Sequence, residues 1–233
     1  MRINKFLANC GIGSRRKVEE YITEGKVKVN GNVVTNLATD IDEIKDRVTF
    51  NNKPVKLEND NVYIMINKPK GYLCTVSDDR ERPTVVKLVK EKLRIYPVGR
   101  LDYNTEGLLL LTNDGDFANK VMHPSNRISK TYLATLKSRP KPDELDKLRK
   151  GIMLDDGMTQ PAIVERPKLA NGLYEVVITI FEGRNRQVRR MFEAIGYKLF
   201  ALKRLKIGKL ELGELELKEY RYLDKKELNK VFD

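Results

Sequence analysis

Residues 99–116 have the sequence GRLDYNTEGLLLLTNDGD, and the predicted fold is organised around this stretch. Four consecutive leucines, 108–111, lie between two turn-prone segments, and short apolar runs bounded by turns are typical of buried strands. Asp102 precedes this strand, at a position where a rigid scaffold can hold a loop carboxylate in a fixed direction. Taken alone, the stretch favours the simpler interpretation that Asp102 only shapes the turn, as aspartate commonly does.

The composition is that of a globular protein. Its 233 residues, 40% hydrophobic and 33% charged, are enough for one large domain or two smaller ones. No apolar run approaches the roughly 20 residues that span a bilayer, and the N-terminus lacks the apolar core of a signal peptide. We therefore expect a cytoplasmic protein without a membrane partner, in which Cys10 and Cys74 are reduced core residues. Two cysteines and one histidine, His123, provide few ligands for a zinc site, so no metal is expected.

The net charge of +12 indicates a polyanionic partner, nucleic acid before membrane surface. The charge is gathered in two segments of the chain. Residues 1–30 carry seven basic and three acidic side chains, and residues 182–206 carry eight basic and two acidic ones. Residues 31–60 are net acidic. A surface that is merely soluble would intersperse both signs, so this distribution favours two binding regions.

The first 34 residues predict two short helices and a hairpin. The apolar residues between Ile3 and Leu7 follow helical spacing. Ser14 is a good N-cap for a second helix, which Gly25 ends. The sequence KVKVNGNVV, residues 26–34, alternates on both sides of Asn-Gly, which is a strong hairpin signal.

Three cations crowd the first turn of the second helix: Arg15, Arg16 and Lys17. The helix macrodipole favours anions at this end, so the three charges are mildly destabilising for the helix itself. The same end attracts phosphate groups, and adjacent cations would strengthen that attraction. A solvated charged face is the alternative, but three cations together at this end favour phosphate binding.

The segment from Met1 to Gly31 resembles the αL RNA-binding domain shared with a small-subunit ribosomal protein. In that family two helices and a hairpin present basic side chains to structured RNA. The resemblance implies six candidate RNA-binding residues: Arg2, Lys5, Arg15, Arg16, Lys17 and Lys26. The polar segment 58–61 is the predicted boundary, so we expect an RNA-binding domain at 1–58 and a second domain at 59–233.

The second domain mixes strands and short helices without βαβ alternation, which predicts an α+β fold. A strand from Val62 runs into a Pro/Gly loop, where Lys68 and Lys70 could meet a backbone phosphate or simply be solvated. Residues 129–138 alternate as a strand in which Tyr132 is either a core residue or a face for base stacking. The tail, 201–223, alternates like a closing strand pair.

A second basic motif, EGRNRQVRRMF, begins at Glu182. The apolar residues of 188–195 recur at i, i+3, i+4 and i+7, which predicts an amphipathic helix that Gly196 ends. Arg189 lies beside the apolar stripe and can therefore be half-buried against a carboxylate. Three further arginines are better placed for phosphates: Arg184, Arg186 and Arg190.

Over nearly all its length the chain resembles the bacterial ribosomal RNA pseudouridine synthases of the RsuA/RluB/RluE/RluF family. GRLDYNTEGLLLLTNDGD matches the catalytic motif of that family, KTYLATL its tyrosine motif and EGRNRQVRRMF its basic motif. The match is most like the RluB-type branch, which acts on large-subunit RNA. The resemblance implies a small αL domain followed by a larger, mixed and mainly antiparallel β-sheet domain with flanking helices.

The resemblance implies that Asp102 is the catalytic aspartate that isomerises uridine to pseudouridine, by attack on either the sugar or the uracil ring. The target base must leave its stack, and Tyr132 could receive it. A paired Arg189 would favour the ionised nucleophile. Arg100 would contact RNA or fill the space left by the base, and Leu202 would pack against uracil. We expect ribosomal RNA as the partner, no cofactor and a monomeric enzyme.

Two other functions remain open. The chain could be a non-catalytic RNA-binding factor in ribosome assembly that keeps a synthase-like fold. It could also be a synthase that acts on small-subunit ribosomal RNA or on tRNA.

Overall fold

The computed structural model describes residues 1–58 and 60–233, and within it the chain forms two compact units. The first unit consists of residues 1–62, 92–94 and 113–115, and the second consists of residues 63–91, 95–112 and 116–233. The predicted boundary segment, 58–61, includes Asn59, which lies outside the described residues. The domain limits at residues 58 and 59 therefore stay a prediction.

The first unit contains the two predicted helices and the predicted hairpin, within a four-stranded antiparallel sheet. Its elements are α1 (Ile3–Asn9), α2 (Arg15–Thr23), β1 (Val27–Val29), β2 (Asn32–Val33), β3 (Val48–Phe50) and β4 (Lys53–Pro54), with the strand order β2-β1-β3-β4. Ser14 Oγ accepts a hydrogen bond of 3.2 Å from the Lys17 amide, which confirms the predicted N-cap. Asn30 and Gly31 both have positive φ, which fits a two-residue hairpin turn.

The second unit is an α+β structure, as the sequence predicts. Its strands are β5 (Tyr63–Lys68), β6 (Tyr96–Val98), β7 (Glu106–Thr112), β8 (Lys130–Leu136), β9 (Met153–Leu154), β10 (Gly157–Met158), β11 (Ile163–Val164), β12 (Lys168–Ala170), β13 (Leu173–Ile180), β14 (Ala201–Ile207), β15 (Leu210–Glu211) and β16 (Tyr220–Tyr222). Its helices are α3 (Gly115–Met122), α4 (Pro142–Lys150), α5 (Gln187–Ala194) and α6 (Lys225–Asn229).

Ten of these strands form one mixed sheet, of which the main path is β11-β13-β8-β14-β7-β5-β16. Strand β12 pairs with β13, β15 pairs with β14, and β6 pairs with β7. Among the described residues, β7 and β14 make the one parallel pairing, and every other pairing of the sheet is antiparallel. The expected mixed, mainly antiparallel sheet is therefore confirmed.

Strand β7 is buried on both faces, which explains its run of leucines. Leu108, Leu109, Leu110 and Leu111 are at most 1% exposed. Successive side chains of a strand point to opposite faces of the sheet, so burial of four in a row means that both faces are covered, and such a strand needs apolar residues at every position rather than alternation. The loop with Asp102 therefore precedes one of the most buried strands of the unit.

The tail forms the predicted strand pair, in which Lys206 lies opposite Glu211. Its first strand, β14, is nevertheless an internal strand between β8 and β7. Its alternation places Leu202 and Arg204 among the buried residues, and a register shift between Arg204 and Lys206 then brings Ile207 to a buried position as well.

Both cysteines are free, as expected, but each is only partly buried. Cys10 follows the last turn of α1, and Cys74 lies in a loop where its Sγ is 3.3 Å from the backbone nitrogen of Leu101. The expectation that they are core residues is thus only partly correct. No helix in the described parts of the chain is long and apolar enough to cross a membrane.

Gly107 allows β7 and β14 to pair. Its φ is 109°, and it lies opposite Arg204 in the parallel register. A Cβ at this position would lie 2.5 Å from the backbone nitrogen of Arg204 and closer still to its carbonyl oxygen. Any side chain would therefore separate the two strands.

We expect Gly107→Ala to destabilise the protein strongly because it adds a clash to an unfavourable φ. Gly172→Ala is the matched control, because Gly172 also has a positive φ, 75°, but has nothing within 4 Å of the added Cβ. The control should cost about 1–2 kcal/mol for the backbone conformation alone. Gly107→Ala should cost about 1–3 kcal/mol more. Urea unfolding measures both, and equal losses would show that β7 and β14 tolerate the added methyl group.

Candidate active site

A cavity of about 510 Å³ opens in the second unit next to Asp102. Its wall is formed mainly by the loop before β7, by β8 and β14, and by the loop before α5. It brings together six of the predicted site residues: Arg100, Asp102, Tyr132, Arg184, Arg186 and Leu202. Pockets of this size are typical of small-ligand sites.

Asp102 serves both as a turn residue and as a free carboxylate. Its carbonyl oxygen accepts a hydrogen bond of 3.0 Å from the Thr105 amide, which closes the turn before β7. Its carboxylate makes no part of that turn and remains 29% exposed. The two interpretations of Asp102 are therefore compatible, since one concerns its main chain and the other its side chain.

Arg189 holds the loop that carries Asp102. Its Nη2 donates to the carbonyl oxygen of Asn104 at 2.8 Å and to Thr105 Oγ1 at 3.2 Å. Its Nε is 3.7 Å from Asp102 Oδ2, so the predicted pairing of Arg189 with a carboxylate is present. The helix α5 places it there, because Val188, Met191 and Phe192 fix the apolar side of that helix in the core.

Arg189 and Asp102 form an ion pair, but the distance of 3.7 Å is too long for a hydrogen bond. The Nε of Arg189 is buried and has no hydrogen-bond partner among the described residues. Both carboxylate oxygens of Asp102 therefore stay available for another partner. Burial lowers the pKa of Arg189, and the neighbouring Arg186 lowers it further, but an arginine remains charged at neutral pH.

Lys68 is neither solvated nor on the surface, so both expectations for it are wrong. It ends β5 with no exposed area, and its ammonium donates to three main-chain carbonyls, of Pro69, Asp102 and Thr105, at 2.9–3.1 Å. Burial lowers its pKa. Lys70, two residues later, is exposed and lies 3.7 Å from Glu106, so its own alternatives stay open.

Tyr132 is partly buried, at the edge of the core and on the cavity wall. It packs against the apolar cluster formed by β8, β13, α4 and α5, and it also lines the cavity. Arg204 lies opposite it in the antiparallel register, with its guanidinium carbon 6.0 Å from the centre of the ring. Leu202, on the same strand, is buried and lines the cavity too.

The arginines of the basic motif differ in their surroundings. Arg190 binds Asp156 at 2.8 Å, and Arg184 contacts both Asp156 and Glu182. These two arginines hold the pKa of Asp156 at about 2. Arg186 is exposed at the start of α5, with no ion pair among the described residues. Phosphate binding stays a prediction for all three, and Arg184 and Arg190 already have protein partners.

The predicted RNA-binding cations of the first unit also differ in exposure and in ion pairing. Lys17 pairs with Glu20, and Lys26 pairs with Glu24. Both lysines also approach the ring of Tyr21. Arg2 pairs with Asp40, and Lys5 is partly buried. Arg15 and Arg16 are exposed in the first turn of α2, at the positively polarised end of that helix. Of the six predicted RNA-binding cations, these two are exposed and have no ion pair among the described residues.

Lys130 and Arg204 line the cavity but were not predicted as site residues, and Lys68 was considered only as a phosphate contact or a solvated side chain, not as the support of the Asp102 loop. A signal was present for Arg204, because it shares the buried face of its strand with Leu202. No pattern marked Lys68, because a lysine before Pro-Lys-Gly looks like a loop residue. Within the described residues, no three His, Cys, Asp or Glu side chains are grouped closely enough to hold a metal ion.

Two family models match the chain. The model described as RNA pseudouridylate synthase matches residues 62–194, and the S4 domain model matches residues 1–48. The first match covers more than half of the chain and contains Asp102, Tyr132 and Arg189. The second contains all six of the predicted RNA-binding cations.

Known proteins are similar over most of the chain. The ribosomal large subunit pseudouridine synthase B of Bacillus subtilis (strain 168) is 50% identical over 206 residues, which are 87% of this chain and 84% of that protein. An uncharacterized RNA pseudouridine synthase of Aquifex aeolicus (strain VF5) is 43% identical over 100% of this chain and 94% of its own. A crystal structure of a pseudouridylate synthase has a TM-score of 0.70 and 34% identity, and covers 99% of both chains.

We expect Lys68→Met to destabilise the protein because three carbonyls lose a charged donor. The loss should be on the order of 3 kcal/mol in urea unfolding. Lys70→Met is the control, since an exposed pair such as Lys70 with Glu106 contributes less than about 1 kcal/mol. Similar losses for the two variants would mean that the Lys68 ammonium does not hold the loop.

Proposed function

This chain belongs to the RNA pseudouridylate synthase family, and we propose that it isomerises uridine to pseudouridine in large-subunit ribosomal RNA with Asp102 as the nucleophile. The observation that carries the proposal is the Asp102 carboxylate, which lies in a cavity, 3.7 Å from Arg189. The relative of 50% identity, which is named for the ribosomal large subunit, supports the choice of RNA.

Base flipping explains why the cavity combines an aromatic ring with apolar and charged groups. A uridine within a folded RNA has to leave its stack before a side chain can reach the glycosidic bond. The ring of Tyr132, which is fixed by the core on one side, offers the base a replacement stack of about 1–3 kcal/mol. Leu202 adds an apolar contact on the same wall.

The chemistry requires an ionised carboxylate that is held firmly but is not consumed by other bonds. The reaction breaks the bond between C1′ and N1, turns the uracil and joins C1′ to C5. Arg189 places a positive charge 3.7 Å from Asp102 Oδ2, and at this distance it leaves the carboxylate oxygens free to react. The Lys68 ammonium and Arg189 fix the direction of the loop from two sides.

RNA binding would use the exposed cations. Arg15 and Arg16 extend from the N-terminal end of α2, where the helix dipole also attracts phosphate. Arg100 and Arg186 are exposed on the cavity wall, within reach of the phosphates next to a flipped nucleotide.

The test of this function is a map of pseudouridines in ribosomal RNA from cells with and without the gene. We expect one site or a few sites in large-subunit RNA to be lost and to return with the wild-type gene. Asp102→Asn should restore none of them, and purified Asp102→Asn protein should be slower by about 10⁴-fold or more. Asp143→Asn, which changes an exposed carboxylate in the first turn of α4, is the control and should behave as wild type.

The outcomes separate the candidate functions. If pseudouridines are lost only from small-subunit RNA or tRNA, the protein is still a pseudouridine synthase but its substrate is that RNA. Full activity of Asp102→Asn would remove Asp102 as the nucleophile. An unchanged pseudouridine map together with a defect in ribosome assembly would favour the non-catalytic RNA-binding factor.

The contribution of the first unit can be measured by salt dependence. Arg15→Gln with Arg16→Gln should reduce the slope of log K against log salt by about 1.4–1.8, since two phosphate contacts are lost. The control is Lys45→Gln with Lys53→Gln, which removes two exposed lysines from the net acidic segment 31–60. If the two double variants have the same slope, α2 does not bind the RNA backbone.

A further inference from the structure

Arg204 is a buried cation without a countercharge. It is 4% exposed, and its Nε donates to the carbonyl oxygen of Leu108 at 2.7 Å. Its Nη2 is buried and has no acceptor, and no carboxylate of the described residues forms an ion pair with it. A buried charge in this state costs free energy, so its presence needs a reason beyond the stability of the sheet.

The nearby cations do not compensate this charge but add to it. Lys130 is half-buried on the cavity wall, and its ammonium donates to the carbonyl oxygen of Ile128. Burial, with a smaller contribution from Arg204, lowers the pKa of Lys130 to about 8. Arg204 also lowers the pKa of Lys68, although burial is the main cause there. Two positive groups, Arg204 and Lys130, therefore line the same cavity, and a third, Lys68, is buried against the loop of Asp102.

The carboxylates of the site have other partners. Among the described residues that line the cavity, six are lysines or arginines and two are carboxylates, Asp102 and Glu182. Asp102 pairs with Arg189, and Glu182 pairs with Arg184. The cavity thus has more positive than negative groups, and Arg204 has no anionic partner of its own among the described residues, which indicates that negative charge arrives with the substrate or develops on it.

The position of Arg204 indicates which part of a nucleotide it would meet. It lies opposite Tyr132 on the neighbouring strand, 6.0 Å from the centre of the ring that would stack on the base. The exposed cations Arg100 and Arg186 are better placed for the RNA backbone. A group that reaches Arg204 is therefore at the depth of the base and not of the phosphates.

We propose that Arg204 forms an anion subsite for a carbonyl oxygen of the uracil ring, which gains negative charge during the isomerisation. This inference rests on the proposed function. When C1′–N1 breaks, its electron pair passes to the ring and is shared between N1 and the two carbonyl oxygens. The same pair then forms the bond from C5 to C1′, after which C5 loses a proton and N1 gains one. Attack of Asp102 on C6 of the ring would also shift an electron pair, from the C5–C6 double bond onto C5 and the C4 carbonyl oxygen.

Such a subsite increases the rate of the reaction and contributes little to RNA binding. Positive groups that are fixed in a dry site, and directed at the place where charge develops, stabilise the transition state more than the ground state. The neutral uracil of the bound substrate gains less from Arg204 than the anionic ring does. The expected signature is a lower rate at saturating RNA with a small change in affinity.

The experiment measures single-turnover rates and RNA affinity for Arg204→Met and Arg204→Lys, with enzyme in excess over an RNA fragment that contains the mapped uridine. Removal of the charge in Arg204→Met should lower the rate at saturation by about 100-fold. Arg204→Lys, which keeps a positive charge, should retain more of the rate than Arg204→Met. The control is Lys203→Met, a partly buried neighbour on the opposite side of β14, which should keep the wild-type rate.

Thermal unfolding separates a subsite from a structural role. Arg204→Met removes a buried, unpaired charge but also removes the donor to the Leu108 carbonyl oxygen, and these effects oppose each other, so its unfolding midpoint should stay close to that of Lys203→Met. A rate that falls only because the variant is partly unfolded would overturn the proposal. So would equal rates for Arg204→Met and Arg204→Lys in folded protein.

The effects of Arg204→Met on RNA affinity and on the rate at saturation show whether Arg204 meets the uracil ring or a phosphate. Weaker RNA binding with a shallower salt slope and an unchanged rate at saturation would assign Arg204 to a phosphate and overturn the uracil subsite. An unchanged rate and affinity in Arg204→Met, with active wild-type protein, would overturn the subsite alone. Inactive wild-type and Lys203→Met proteins would instead overturn the proposed function, and the subsite with it.

Discussion

One buried ammonium group joins the sheet to the loop on which the site depends. Lys68 ends β5, and its three donors satisfy the carbonyl oxygens of Pro69, Asp102 and Thr105. A loop of this kind has no ladder to complete its main-chain hydrogen bonds, so a side chain has to supply the donors. The position of the Asp102 carboxylate therefore follows from a lysine that never meets solvent.

The parallel pairing of β7 and β14 brings the other parts of the site to this loop. Gly107 permits the close approach, and β14 then carries Leu202 and Arg204 to the cavity beside the tyrosine of β8. Helix α5 adds Arg189 from a separate part of the chain. Groups that are about 100 residues apart in sequence thus converge because two strands pair without an intervening side chain.

The elements that could be predicted from sequence are those with a clear local pattern. The leucines of β7, the alternation of β8, the cap at Ser14 and the apolar stripe of α5 all predicted correct elements, and the angle around α5 predicted the side of Arg189. The buried states of Lys68 and Arg204 could not be predicted in this way. A cation in a strand looks solvated until the neighbours that cover it are known, and those neighbours come from distant segments.

The pairing of Arg184 and Arg190 with acidic residues changes the view of the basic motif as a source of positive potential. Asp156 and Glu182 neutralise these two arginines, and Asp102 and Arg189 offset each other. Charge summed along the sequence therefore overstates the local field, since one of the neutralising carboxylates lies outside the motif. Long-range steering of RNA would consequently fall to cations without acidic partners, such as Arg15, Arg16 and Arg186, and the paired arginines of the motif would act only at contact. Encounter and chemistry are thereby assigned to different arginines, and the rate of association can change without any change in the reacting groups.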